Sequence, residues 1–285
     1  MRGFTSMSPG TGISPEYCCA AMKDLRFGCS TWFFQEYSVT EALQIIERCG
    51  FPAAEIWMEH LWKSSEPLGT IRALAERLGL TLSLHAASYD LNITSANPWI
   101  RRESMRQIED SISAAADLGA EPVVVHAGRL SSSRGDVEEY WRLMEEAFDF
   151  LDQAAAGSGI NVGIEVMEKR SKERFVGPED VRRLMSRGWN RLGLTVDLAH
   201  IQTVMDHEQF FSRIDDEWIL HVHLSDFSPE STHMPLGRGK MDIDRALQAL
   251  QTRYQGIVVL EGFVRGSGPQ TIEANRDYLR DHGWM

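Results

Sequence analysis

Six short apolar runs of the chain each end on a side chain that binds metals: His85, His126, Glu165, Asp197, His223 and Glu261. Imidazole nitrogens mixed with carboxylates suit a divalent metal such as Mn, Zn, Co or Fe rather than the all-oxygen cage that calcium takes. The carboxylates carry the most information. Glu165 closes NVGIE, Asp197 closes LGLTVD and Glu261 closes IVVLE, so each follows at least four residues of buried-strand character. A carboxylate there must be solvated, paired or metal-bound, because burying it alone costs many kcal/mol. For any one of them the plain alternative is an ion pair with a neighbouring basic residue. Together with His223 they make a four-ligand metal set that leaves positions open for water or substrate.

The histidines extend this set. Of the nine, His85, His126, His200, His223 and His233 fall at strand ends or in the loops just after them, as candidates for additional metal or substrate contacts. His221 lies two residues before His223 and shares its strand face, whereas His60, His207 and His282 are peripheral. A lone histidine in a strand is more often a hydrogen-bonded core residue than a ligand. Five directed to one face shift that balance.

Residues so far apart in sequence need a scaffold that gathers them. Eight apolar runs alternate with helical stretches: LRFGCSTW, AAEIWME, TLSLHAA, EPVVVHAG, NVGIEVM, RLGLTVDL, ILHVHLSD and GIVVLEGF. Amphipathic periodicity predicts helices over Thr40–Cys49, Ile100–Leu118, Val137–Ala155 and Pro178–Arg187. Cys49-Gly50, Leu78-Gly79 and Leu118-Gly119 place glycine where helices end. A β/α unit repeated eight times with right-handed crossovers closes into a single (β/α)8 TIM barrel of the α/β class. The C-terminal ends of its strands then point to one face, where all six side chains meet. A doubly wound open sheet is the competing fold, but no glycine-rich dinucleotide fingerprint follows the first run. Residues 1–24 are rich in Gly, Ser, Pro and Thr without apolar period, which predicts a disordered leader before a catalytic domain at 25–285.

Bulk properties narrow the function. A hydrophobic share of 43% supplies a substantial core, and no run approaches the roughly 20 apolar residues that span a bilayer. Neither a membrane protein nor an exported one is indicated, so a cytoplasmic location is expected. A formal net charge of -12 argues against affinity built on phosphate neutralisation, making nucleic acid a poor candidate partner. Cys18, Cys19, Cys29 and Cys49 lack metal-finger spacing and are expected to be free thiols.

The segments SLHAASYDLNITS, EPVVVHAG, NVGIEV, LTVDLAHIQT, HVHLSD, THMPLGRG and VVLEG resemble the xylose isomerase-like barrel superfamily. That superfamily holds sugar and sugar-phosphate isomerases and epimerases together with AP endonucleases of the endonuclease IV type. The resemblance runs from about Leu25 to the end. In the epimerase branch it implies one divalent metal on Glu165, Asp197, His223 and Glu261, with His200 and Arg238 contacting a sugar or sugar phosphate. Glu165 and Glu261 would be the catalytic pair, moving a proton at the carbon beside the carbonyl. In the endonuclease branch it implies three zinc ions that also use His85, His126, His200 and His233. A further Asp expected two residues before the last histidine is here Ser231. Relatives of this kind are often homo-oligomers.

Three more features bear on substrate. Lys169, Arg170, Lys172 and Arg174 follow Glu165 in EVMEKRSKERF, as a phosphate clamp or as a solvated loop with internal Glu pairs. Arg238 stands between two glycines in LGRG, which permit close backbone approach to a ligand. Trp32, Trp57 and Trp62 follow the first two runs, as an apolar wall for a sugar ring or as simple packing.

Overall fold

A computed structural model describes residues 25–285. The leader expected at 1–24, with Cys18 and Cys19, lies outside the described residues. The chain runs β1 (Arg26–Ser30), α1 (Val39–Arg48), β2 (Ala53–Trp57), α2 (Met58–Ser64), α3 (Leu68–Leu78), β3 (Thr81–His85) and α4 (Pro98–Leu118). It continues through β4 (Val123–His126), α5 (Val137–Ser158), β5 (Val162–Val166), α6 (Pro178–Met185), β6 (Leu192–Asp197), α7 (Leu198–Gln202) and α8 (His207–Phe211). The last part holds β7 (Ile219–Leu224), β8 (Asp226–Ser228), β9 (Ser231–Met234), α9 (Ile243–Gln251), β10 (Ile257–Leu260) and α10 (Gly268–Asp281).

Each of the eight apolar runs contributes one barrel strand. The strands pair in the closed order β1-β2-β3-β4-β5-β6-β7-β10, and β10 returns to β1 with Cys29 opposite Leu260. All these pairs are parallel, as a (β/α)8 barrel requires. Strands β5 and β6 are buried along their whole length, which is why they read as continuous apolar runs rather than alternating ones. Helices cover the outside, each offering an apolar stripe: Val39, Ala42, Leu43 and Ile46 of α1, or Ile243, Ala246, Leu247 and Leu250 of α9.

Local chemistry fixes the element ends. Ser38 and Glu41 form a reciprocal capping box on α1, and the Asp136 carboxylate caps α5 through the amides of Glu138 and Glu139. The expected helix stops hold: Gly79 and Gly119 are left-handed caps with φ of 68° and 67°. The four expected helices appear with ends that coincide or shift by at most three residues. One element was not anticipated, an antiparallel hairpin of β8 and β9 that rises from the end of β7 over the barrel mouth. Its strands are too short and polar to show a period. Among the described residues no helix is long and apolar enough to cross a membrane, and Cys29 and Cys49 are free.

Candidate metal centre

Barrel register gathers the site. Across neighbouring strands Trp57 lies opposite His85, His126 opposite Glu165, and Asp197 opposite His223. Glu261 is one step past β10, where its amide donates to the Leu224 carbonyl at 3.0 Å. Ligand atoms of Glu165, Asp197, His223 and Glu261 consequently lie within 4.8 Å of one another, all four residues buried. Three further triads meet the same limit: Glu55, His221 and His223, and two that bring in the remaining site histidines, His85, His126 and Glu165 on one side, Asp197, His200 and His233 on the other.

Glu165 is the hub. Its Oε2 is 3.1 Å from His126 Nε2 and 4.0 Å from His85 Nε2, while Oε1 is 3.4 Å from His223 Nδ1 and 3.5 Å from His200 Nδ1. His223 Nδ1 also lies 3.2 Å from Glu261 Oε2. Asp197 Oδ1 accepts from the His200 amide at 2.9 Å, capping α7. The opposite atoms are left over: Asp197 Oδ2, His223 Nδ1, His200 Nε2 and Glu261 Oε1 are buried without a hydrogen-bond partner. Buried polar atoms are rarely orphaned, and orphans converging in this way from the ends of three strands and from a helix suit the donor set of a cation. The residues fit a divalent metal.

The rings are held from behind. His85 Nδ1 donates to the Ala86 carbonyl at 2.9 Å and His200 Nδ1 to the Val166 carbonyl at 3.1 Å, so both present Nε2 to the cavity. Trp57 stacks on His85 with centroids 3.9 Å apart. His223 is held by Glu55 of β2, fully buried beneath the site. Glu55 Oε1 lies 3.2 Å from His223 Nε2, and Oε2 accepts from His221 Nε2 at 2.9 Å and from Ser83 Oγ at 3.2 Å.

Charge is distributed accordingly. Burial pushes Glu165 up, but the His126 and His223 contacts outweigh it and hold the carboxyl well below the usual range. Glu261 is likewise lowered, with burial opposed by the charge on His223. Asp197 is raised, because burial exceeds the help from His200 and His233. Burial disfavours charge on His200 too, yet Asp197, Glu165 and Glu168 around the ring push it up to about 9. His223 is held well above its ordinary value by Glu261 and Glu55 against burial.

Above the carboxylates opens a cavity of about 150 Å³. Its wall includes His85, His126, Glu165, His200, His233 and Glu261, joined by Trp32, Trp57, Met167, Glu168 and Phe263. Every proposed histidine thus reaches the site, His233 through the unforeseen hairpin. Gly262 lets this happen: a Cβ there would sit 1.9 Å from the Met234 carbonyl oxygen, so only glycine allows the hairpin to pass against the end of β10. Ser231 is exposed at the start of β9.

Some candidates lie elsewhere. Arg238 is exposed and outside the cavity wall. Its flanking Gly239 approaches Asp226 rather than a ligand, donating its amide to Asp226 Oδ2 at 2.7 Å. Lys169, Arg170 and Lys172 are exposed, and Arg170 pairs with Glu168 at 2.6 Å, so the charged loop has the internal pairing of a solvated segment. Trp62 is half exposed and lines neither this cavity nor the one beside it. His60 and His207 are buried, each bonding a backbone carbonyl. Glu55 and Glu168 escaped the sequence reading, Glu55 because it stands inside the second apolar run rather than at its end.

Residues 43–282 match the family model described as a xylose isomerase-like TIM barrel. The chain is 27% identical over 241 residues to an uncharacterized protein of Methanocaldococcus jannaschii, covering 83% of this chain and 88% of that one. It is 26% identical over 265 residues to 3-dehydro-D-guloside 4-epimerase of Escherichia coli K12, covering 87% and 94%. Among solved structures, a D-tagatose 3-epimerase-like protein superposes with a TM-score of 0.78 at 25% identity, covering 90% and 97%.

Proposed function

The chain belongs to the xylose isomerase-like TIM barrel family, and from that premise we propose that it is a divalent-metal-dependent isomerase or epimerase of a sugar, sugar phosphate or related polyhydroxy compound. The observation that carries this is the buried convergence of Glu165, Asp197, His223 and Glu261, with unpartnered atoms facing one another. The kinship to a sugar epimerase over 94% of that protein's length supports the substrate class. Two free buried cysteines suit a cytoplasmic enzyme.

Those four residues would hold the ion, Mn, Zn, Co or Fe, which supplies polarisation of a substrate carbonyl and so acidifies the neighbouring C–H. Glu165 and Glu261 take and return the proton at that carbon. Glu261 is equipped for both tasks, since a carboxylate that holds the ion through one oxygen keeps the other for the proton. His200 and Trp32 line the cavity where substrate oxygens and the apolar ring face would lie. The buried walls keep water from the reacting carbon.

Elemental analysis of protein purified without added metal tests this first. About one ion per chain supports the four-ligand site. Two or three zinc ions per chain would favour a second reading, a metal-dependent AP endonuclease, for which the two extra histidine triads speak. The net charge of -12 and the exposed Ser231 weigh against it.

Two further outcomes follow from the geometry. Glu55→Gln leaves the His221 and His223 rings facing an amide instead of a carboxylate. Metal affinity then falls roughly 10–100-fold, read by competition with a fluorescent chelator. An unchanged Kd would show that Glu55 does not orient His223. The metal must also displace the proton that the raised His223 holds in the metal-free protein, and its charge opposes the proton on the neighbouring His200. Affinity therefore rises across about pH 6, 7 and 8, measured by titration calorimetry, and a flat profile would contradict those protonation states. The raised pKa of His200 stabilises the metal-free fold fully below about 6.5, its unfolded value. That contribution fades as pH climbs through about 9.

A further inference from the structure

Helix α4 leaves apolar side chains in water at its N-terminal end. Trp99 is 70% exposed and Ile100 beside it 46%, whereas Ile108, Ile112 and Leu118 of the same helix are buried. A single exposed apolar residue is ordinary, but this pair flanks a groove. The groove, about 490 Å³ in volume, runs between α4 and α5 and is lined by Met105 and Phe150 with Arg101, Arg102, Arg106 and Glu109 around them. Trp99 stands at its rim, where the Arg102 guanidinium lies over the indole at 5.0 Å from the ring centroid. None of the metal-site residues lines this groove.

The charges along the groove are ordered. Arg106 is occupied within the helix, 2.6 Å from both Glu103 and Asp110. Arg102 and Glu109 have no ion-pair partner among the described residues, and Arg101 spends one donor on the Ser95 carbonyl at 2.5 Å. Arg101 and Arg102 also stand near the positive end of the helix dipole, where cations are unfavourable and where α1, α5 and α6 carry carboxylates instead. Both arginines therefore gain from a carboxylate that α4 itself does not bring to them.

The sequence spacing says where such a carboxylate is found. Arg101, Met105 and Glu109 are four residues apart and share one ridge of the helix. A second copy of the ridge, turned end for end about Met105, sets Arg101 against Glu109 twice and Met105 against its own counterpart. A twofold contact requires a patch that complements itself in this way. It also gives each Trp99 the partner's groove, with its Met105 and Phe150, to cover, and tryptophan and arginine are the residues that dominate association energies. A purely acidic partner would satisfy the arginines and repel Glu109.

We infer that the α4–α5 face is an interface between two copies of this chain, with a twofold axis at Met105, Arg101 paired to Glu109 across it and Trp99 as the apolar anchor. This goes beyond the sugar-processing reading and shares no residue with it.

Sedimentation equilibrium of the full chain over a range of micromolar concentrations tests it. The wild type is expected at twice the chain mass of 32.2 kDa. Trp99→Ala weakens association about 30-fold, a loss of about 2 kcal/mol. Glu109→Arg sets arginine against arginine and gives monomer, and adding Arg101→Glu to it exchanges the two charges and restores the dimer. Neither a misfolded chain nor a merely structural role for Glu109 would be rescued in that way, and circular dichroism shows that each variant is folded. A wild type that stays monomeric at every concentration overturns the inference. So does an assembly that neither Trp99→Ala nor Glu109→Arg weakens. A folded double variant that remains monomeric overturns the pairing of Arg101 with Glu109 and, with it, the axis at Met105.

Discussion

Glu261→Gln is expected to abolish the entry of solvent deuterium into substrate, and Glu165→Gln to do the same, each lowering kcat on the order of 10²–10⁴-fold. Glutamine keeps the shape of the side chain but cannot take a proton. The two substitutions should differ in what else they disturb. Glu165 engages both oxygens, Oε2 with His126 at 3.1 Å and Oε1 with His223 at 3.4 Å, so its replacement also loosens the metal set. Glu261 has one oxygen toward His223 and one free. Its glutamine variant should hold more metal than the Glu165 variant while being equally silent in exchange. Mass spectrometry of the substrate and elemental analysis of the protein, run on the same samples, check both halves. Exchange that survives in both variants would remove these residues from the proton-transfer role.

Chelation is the second large effect. An ion present at about 1,000 times its Kd adds about 4 kcal/mol to stability, because it binds the folded chain alone. At roughly 2–4 °C per kcal/mol for a domain of this size, stripping the ion lowers Tm by about 8–16 °C. The fold should survive, since protonated His200 and His223 offset the carboxylates when no cation is bound. Asp197→Asn is the control. The amide oxygen can still cap α7 at the His200 amide, but the charge facing the site is gone. Its Tm should therefore sit near that of the stripped protein and respond little to chelator. A full chelator response in Asp197→Asn would mean that the ion which stabilises the protein lies elsewhere.

The barrel was legible because its strands are buried on both faces. Val162–Val166 and Leu192–Asp197 show unbroken apolar runs, and a carboxylate at the end of such a run can only be functional or paired. That rule reached Glu165, Asp197 and Glu261 but passed over Glu55, which lies within AAEIW rather than at its end. The β8–β9 hairpin was invisible for the opposite reason. DFS and STHM are too short to carry a period, so the element that brings His233 within 5.2 Å of the His200 ring, centroid to centroid, left no pattern. The glycines around Arg238 were read as making room for a ligand. In the fold Gly239 makes room for Asp226, whose carboxylate ties down the amides of Phe227, Gly239 and Met241. Sequence spacing shows that backbone must come close to something there. It does not show to what.

The most direct measurement is solvent-deuterium incorporation into a panel of keto sugars, free and glycosylated, with wild-type protein stripped by chelator and then reconstituted with Mn. Incorporation at a single carbon beside the carbonyl, seen only after reconstitution, is the predicted result. No incorporation into any sugar by the reconstituted protein, or equal incorporation by the stripped protein, would contradict a metal-assisted proton transfer at Glu165 and Glu261.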